Sequence, residues 1–371
     1  MYMRSSACTD LFVLAMHRAI TIAQHGPVFD RNPQVGCVIL DRDYQLISQG
    51  WHMGSGSEHA EIMALRGAKS ILSEPYAAVI TLEPCSSAGQ TGPCVRALLD
   101  AGVKHVVFGV HDPESSGAKV LSEAGVKITY GVLEREVWGL CAKHILPKVR
   151  KTPWVIAKRA QGLDGRMSAP DGSSKWITGP YARGHAHVIR SQVDAIAIGS
   201  NTLCCDNPSL RAFHPAGHLY AKQPKVVIFS GRPRRSNTAG RGSCELGRCV
   251  RGHEFFARDP TILSGKDLKK DMRRLYELGV RSLLLEGGPT LLSSFVREDL
   301  VDEFYIYTAP KLLGGGYGDI NIGVESISDS FAFQLNSVTR FGDNNLLIRA
   351  IKPIQCNPDT RTYRTKKHLR D

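Results

Sequence analysis

Cys85 and Cys94 bracket the stretch LEPCSSAGQTGPC, residues 82–94, with eight residues between them. That gap is too wide for the Cys-x-x-Cys of a zinc ribbon or a thioredoxin-like redox pair. Each cysteine follows a proline: Pro84 leads to Cys85 from the end of an apolar run, and Pro93 precedes Cys94 where a new helical pattern begins. Earlier, HAE (residues 59–61) opens another helical pattern just after the glycine-rich GSGS. One imidazole and two thiols therefore stand at loop ends and helix starts, where free backbone N–H groups and the positive end of a helix dipole favour thiolates. Three ligands of borderline softness suit catalytic zinc, which keeps its fourth position for water. Glu61, two residues from His59, is placed to take a proton from that water and hand it to a leaving amine. His59, Cys85 and Cys94 are thus predicted zinc ligands and Glu61 the catalytic residue of a hydrolytic deamination. The pattern is that of zinc deaminases, His-x-Glu followed by Pro-Cys, but without their usual Cys-x-x-Cys spacing. A His and a Glu at one helix start can simply cap it, and one cysteine can simply pack; all three stretches at junctions make a stronger signal.

These residues need a scaffold, and residues 1 to about 147 supply an alternating pattern of strands and helices. Phe12, Ala15, Ala19 and Ile22 recur at helical spacing. QVGCVIL (34–40) and LISQGWH (46–52) read as a hairpin turning through Asp41 to Tyr44, followed by a helix at about 59–69. A strand at 77–82, a helix from Pro93 to Ala101 and a strand at 105–110 complete a mixed sheet flanked by helices. HILPKVRKTPW (144–154) has the Pro and Lys/Arg content of a linker. Beyond it, strands are expected at 154–160, 195–200, 225–230, 282–288 and 303–313, with helices near 181–191, 266–278 and 290–297. Short apolar strands separated by helices imply a largely parallel sheet covered on both faces.

In the second half, LLLEGGPTLL (283–292) is the most informative stretch. A buried strand ends at Glu286, two glycines allow close backbone approach, and Pro289 starts a helix whose free N–H groups suit a phosphate. It is not the Gly-x-Gly-x-x-Gly dinucleotide fingerprint, and such a turn is also compatible with a purely structural role. Arg183, His187 and Arg190 fall along one helical face, which suits a ribose phosphate or, equally, a solvated basic stripe.

The chain of 371 residues is long enough for two cores, and 42% hydrophobic content can fill both. No run of 18 uninterrupted apolar residues occurs, so neither a membrane span nor a signal peptide is read and the cytoplasm is expected. The other cysteines are expected to be free thiols, mostly packed and inert. A formal net charge of +12 is compatible with nucleic acid, an acidic membrane surface or phosphorylated substrates. Much of the excess lies in residues 232–252 and in the tail from Asp359, which look irregular and carry few aromatics, so nucleic acid is not the expected partner.

Taken together, NPQVGCVIL, HAE and LEPCSSAGQTGPC resemble the deaminase half of the bifunctional riboflavin-biosynthesis deaminase-reductases. LDGRMSAPDGSSKWIT (163–178), GSNTLCCDNPSLR (199–211) and LLLEGGPTLL are similar to the reductase half, so the likeness spans about residues 10–350. The resemblance implies an α/β chain with an N-terminal cytidine-deaminase-like domain (1–147), a C-terminal dihydrofolate-reductase-like domain (148–353) and a basic tail (354–371). It implies zinc-dependent deamination of 2,5-diamino-6-(5-phosphoribosylamino)pyrimidin-4-one, then NADPH-dependent reduction of the ribosyl side chain to ribityl. NADPH contacts are implied at Ala160, Trp176, Thr202, Asp206 and Ser230, and along Gly288, Pro289, Thr290, Leu291, Leu292, Ser293 and Ser294. Substrate contacts are implied at Asn32, Ser174, Arg190, Leu210 and Glu286. The partner is a small phosphorylated pyrimidine, with no nucleic acid or membrane, and a homo-oligomer is left open. The chain departs from the family pattern at Ser87, where His is common, at Gln90, where Lys or Arg is common, and at Phe213, where Arg is common. Arg211 stands where a Thr is usual, so it either substitutes for the missing Arg as a substrate contact or is a surface residue. A deaminase acting on RNA is the competing reading, which the second-half motifs disfavour.

Overall fold

The computed structural model describes residues 6–30, 32–69, 71, 74–86, 92–231, 258–314, 320–357 and 362–365. The chain divides into two units, Met1–Val149 and Arg150–Asp371.

In the first unit, β1 (Gly36–Leu40), β3 (Ala77–Leu82) and β4 (His105–Val110) are buried at every position, because their apolar runs are covered on both faces. β2 (Leu46–Trp51) and β5 (Lys127–Tyr130) close the edges of a five-stranded sheet of order β2-β1-β3-β4-β5. β1 pairs antiparallel with β2 and β3, whereas β3, β4 and β5 run parallel, giving the expected mixed sheet. α1 (Ser6–Ala23) turns Phe12, Met16, Ala19 and Ala23 inward at helical spacing. α2 (Ala60–Ala68), α3 (Cys94–Asp100) and α4 (Gly117–Glu123) share one core with β1, β3 and β4. α2 sits so close to β2 that a Cβ on Gly50 would lie 2.5 Å from Ala60 O and Ala64 N, so only glycine admits the helix that follows His59.

Residues 144–150 are not a linker, because they complete α5 (Glu134–Arg150), with Pro147 inside the helix. Pro147 removes one backbone donor, but Val137, Trp138, Cys141, Ala142, Ile145 and Leu146 bury a continuous stripe that holds the helix together.

The second unit is built on an eight-stranded sheet of order β12-β13-β11-β6-β10-β7-β8-β9. β6 (Trp154–Gln161), β7 (Ala195–Gly199), β8 (Lys225–Phe229), β9 (Thr261–Leu263), β10 (Ser282–Leu285) and β11 (Glu303–Thr308) are parallel, while β12 (Gln334–Arg340) and β13 (Leu346–Ile351) add an antiparallel edge. α8 (Leu268–Glu277) and α9 (Pro289–Arg297) pack Leu268, Met272, Leu275, Leu292, Phe295 and Val296 into one core with these strands. α6 (Pro180–Gln192) and α7 (Ser200–Asp206) precede and follow β7. Part of the expected irregular tail is ordered: β14 (Ile354–Asn357) pairs with β15 (Thr362–Thr365). The Arg-rich loop 232–252 and the rest of the tail lie outside the described residues. No described helix is long and apolar enough to cross a membrane.

Candidate functional site

His59 is the N-cap of α2 and Cys94 is the first residue of α3, behind Pro93. Cys85 lies in irregular chain three residues beyond β3. The His59 ring nitrogen and the two sulfurs all lie within 4.8 Å of one another. His59 Nδ1 is 3.1 Å from Cys94 Sγ and 3.6 Å from Cys85 Sγ. Zinc–nitrogen and zinc–sulfur bonds in a tetrahedron place such donors roughly 3.5 Å apart, so the set fits zinc in both chemistry and spacing. Cys85 Sγ accepts the Cys94 N–H at 3.3 Å, a donation supplied by the start of α3. The Cys94 thiol, acting against burial and aided by the His59 ring, pulls the Cys85 thiol down to about 4. The same shared proton, together with burial, pushes Cys94 up. Glu61, in the first turn of α2, is 4% exposed, and burial raises its carboxyl above the ordinary range.

Asn32 stands near this cluster through a histidine that sequence reasoning missed. Its amide nitrogen is 3.1 Å from His52 Nε2, while His52 Nδ1 is 3.0 Å from the carbonyl of Glu58, the residue before His59. One tautomer satisfies both contacts: Nδ1–H donates to Glu58 O, and Nε2 accepts from Asn32. The His52 and His59 rings meet edge to face at 5.6 Å. The only available signal for His52 was its place at the end of a strand facing the HAE helix. Ser87 and Gln90 lie outside the described residues.

In the second unit, Ala160, Thr202, Ser230 and Gly288 all stand at or just beyond the C-terminal ends of the parallel strands β6, β7, β8 and β10. Open α/β sheets bind ligands at that end. Thr202 Oγ1 accepts the Gly288 N–H at 3.1 Å, joining α7 to the turn before α9. The first intrahelical bond of α9 is Leu292 N–H to Gly288 O, so the amides of Thr290 and Leu291 precede it and suit an anion. Leu292 and Ser293 point into the core at 1% and 4% exposure, and Ser293 Oγ accepts the Asn321 N–H. Ser230 Oγ donates to Leu263 O, Ser294 Oγ donates to Thr290 O, and Asp206 is exposed at the end of α7.

Trp176 and Leu210 carry left-handed backbone, with φ of +63° and +50°. Bulky residues adopt it only under constraint, and such strain gathers at functional sites. Trp176 is exposed and stacks under the Arg183 guanidinium at 3.9 Å, and Ser174 is exposed nearby in sequence. Leu210 is buried at 1% exposure, and its carbonyl accepts from Arg258 Nη1 at 3.3 Å.

The basic stripe on α6 is not an open phosphate surface. Arg190 grips Glu286 through Nε and Nη2, both at 2.8 Å, and Nη1 donates to Arg211 O at 3.1 Å. His187 Nδ1 is 3.2 Å from the same carbonyl, and Arg183 Nη1 donates to Thr178 O at 2.6 Å. Lys158, on β6, is 3.8 Å from Glu286. Burial would raise the Glu286 carboxyl, but Arg190 and Lys158 outweigh it and hold it at about 2. Lys158 was missed, although a lysine inside an apolar parallel strand is a readable signal. Tyr307 was also missed; its hydroxyl lies 2.8 Å from His185 Nδ1, and its burial depends on the packing of β11.

Cys204 of α7 is disulfide-bonded, not the inert free thiol expected.

A zinc-type His/Cys cluster on one α/β unit, followed by a largely parallel sheet with a glycine turn at its ligand-binding end, defines a deaminase joined to a reductase. The model of the cytidine and deoxycytidylate deaminase zinc-binding region matches residues 13–110, and that of the RibD C-terminal domain matches residues 153–347. The chain is 35% identical to riboflavin biosynthesis protein RibD of Chlamydia trachomatis, covering 81% of this chain and 84% of that protein. It is 38% identical to RibD of Corynebacterium ammoniagenes, covering 77% and 81% of the two. Among solved structures, Acinetobacter baumannii RibD aligns at TM-score 0.73 and 32% identity over 92% of this chain and 99% of that one. The Thermotoga maritima diaminohydroxyphosphoribosylaminopyrimidine deaminase/5-amino-6-(5-phosphoribosylamino)uracil reductase aligns at TM-score 0.73 and 29% identity over 93% and 99%. The chain belongs to the RibD family of riboflavin biosynthesis, bifunctional enzymes with a zinc-binding deaminase domain and an NADPH-type reductase domain.

Proposed function

We propose that His59, Cys85 and Cys94 hold the zinc ion and that Glu61 moves the proton in deamination of 2,5-diamino-6-(5-phosphoribosylamino)pyrimidin-4-one. The observation that carries this reading is the convergence of one nitrogen and two sulfurs within 4.8 Å, together with the buried carboxylate one turn-start away on α2. When bound, zinc supplies the Lewis acidity that makes water a nucleophile near neutral pH. Glu61, its proton affinity raised by burial, takes up the proton and releases it to the departing amine. Asn32, oriented by His52, engages the pyrimidine edge with its remaining amide donor and its carbonyl.

Metal analysis of the purified chain is expected to return about one zinc per chain, as a three-ligand site requires. The Cys85→Ala, Cys94→Ala double variant is expected to return essentially none, and full occupancy in it would remove the assignment.

For the second reaction, NADPH supplies the hydride that reduces ribosyl to ribityl. The strand-end residues Ala160, Thr202, Ser230 and the Gly288–Ser294 turn bind the cofactor, with Trp176 and Asp206 at the rim. Glu286 is an ionised acceptor for the substrate, and Ser174, Arg190 and Leu210 complete its contacts. Two cations, Arg190 and Lys158, surround the single Glu286 carboxylate, and this surplus positive charge favours a phosphorylated ligand. Arg211, whose carbonyl accepts from Arg190, lies near enough to Arg258 to depress that guanidinium further once burial has lowered it. A phosphate is a stronger partner for a guanidinium than a neutral acceptor is. Arg211→Ala is therefore expected to raise the reductase KM for the phosphorylated substrate about ten- to a hundredfold, with little change for NADPH. Steady-state kinetics with each ligand varied in turn check this, and an unchanged substrate KM assigns the phosphate to other residues. A deaminase domain over 1–147, a reductase domain over 148–353, a basic tail over 354–371 and a cytoplasmic location complete this reading.

A further inference from the structure

We propose that Glu83 is a positioning residue for the Cys85 thiolate, acting through a clasp that residues 111–118 close over the chain carrying that ligand. The proposal rests on Cys85 being a zinc ligand. His59 and Cys94 each take their position from a helix start, whereas Cys85 sits in irregular chain without such support.

The clasp supplies that support. The Glu83 side chain is buried; one oxygen accepts from His111 Nδ1 at 2.8 Å, and the other accepts the Ala118 N–H, in the first turn of α4, at 2.9 Å. The His111 ring itself packs against both Phe108, at 4.8 Å, and Tyr130, at 4.9 Å. On the main chain, Glu83 N–H donates to Val110 O at 2.9 Å. The carbonyl of Pro84 accepts from Ser115 Oγ at 2.8 Å, and Gly117 approaches it so closely that a Cβ there would lie 1.9 Å away. Past the cysteine, Ser86 Oγ accepts the Ser116 N–H at 3.2 Å. Positions 83, 84 and 86 are thus all tied to one segment, while Cys85 Sγ is turned toward Cys94 and His59.

Zinc tolerates only small errors in ligand position, so a thiolate held in advance loses less freedom when the metal binds. Both Glu83 oxygens are already engaged by His111 and Ala118, so Glu83 works through Cys85 and not on the substrate.

Zinc affinity of the full chain, measured by competition with a chromophoric chelator, tests this together with the spectrum of the cobalt-loaded protein. Glu83→Ala is expected to weaken zinc binding about 10- to 100-fold and to shift the cobalt–thiolate charge-transfer band. Glu83→Gln keeps an acceptor for Ala118 N–H and offers an amide N–H to the His111 ring, and is expected to restore most of the affinity. Ser115→Ala strands no buried charge, so it tests the clasp even where Glu83→Ala fails to fold; its expected shift has the same direction and a smaller size. Wild-type affinity and an unchanged cobalt spectrum in Ser115→Ala and in any folded Glu83→Ala overturn the clasp. Cys85→Ala is measured alongside: unchanged zinc affinity in that variant overturns the ligand assignment itself, so the two failures are read apart.

Discussion

Glu61→Gln is expected to slow deamination about 10²- to 10⁴-fold while leaving NADPH-dependent reduction within a few-fold of the parent chain. Glutamine keeps the volume and hydrogen-bonding reach of the side chain but cannot carry a proton between water and the leaving amine. The substitution is also gentle on the fold, because it removes a carboxyl that burial already pushes toward its neutral form. The two activities belong to separate units of the chain, so reduction of separately supplied deaminated substrate serves as the internal control. Deamination within a few-fold of the parent rate would assign the proton to another group.

Glu286→Ala is expected to abolish reduction and to destabilise the second unit by about 3–5 kcal/mol, leaving deamination in place at temperatures where the first unit stays folded. The size follows from burial. Glu286 is gripped by two Arg190 nitrogens at 2.8 Å and approached by Lys158, so its loss leaves the mostly buried Arg190 without its carboxylate. Replacing Arg190 and Glu286 together by apolar residues of similar volume is expected to recover most of the stability but none of the reduction. That contrast separates a structural pair from one that also meets the substrate: reduction surviving in the double variant excludes a substrate contact for both. The pair also sets an acid limit. The folded carboxyl, at about 2, lies below its ordinary value of 4.5. The ion pair's contribution, about 3 kcal/mol, is therefore complete above roughly pH 4.5 and lost as pH falls toward 2. Chemical denaturation of the parent chain between those pH values is expected to show this loss, and the double variant is expected not to.

The residues that the fold brings together in the first unit were legible in the chain itself. HAE and the second Pro-Cys each sit where a loop gives way to a helix, and the first Pro-Cys follows the end of a strand, junctions that follow from local periodicity and proline chemistry. The central strands were equally plain, because apolar runs such as AAVITL, HVVFGV and AIAIG are buried on both faces and need no partner to declare themselves. The edges were not. β12, QLNSVTR, is mostly exposed and lacks a clean alternation, and β9 has three residues, so both exist because a neighbouring strand offers a ladder. α5 overrode the linker composition around Pro147 for a similar reason: its apolar stripe is held by tertiary burial.

The charges divide in the same way. Residue type marked Arg190 and Glu286 as candidates for a substrate, but only the fold brings side chains 96 positions apart into a bidentate pair. Lys158 joins them because the register of β6 beside β10 carries it there, and His52 reaches both Asn32 and the residue before His59 because β2 ends against α2. Periodicity, turn residues and helix starts are written over a few neighbouring positions, so the sequence alone determined the elements and the His and Cys residues near their ends. The partner of a buried charge is set by strand order and packing across the whole sheet, and those only the tertiary structure decided.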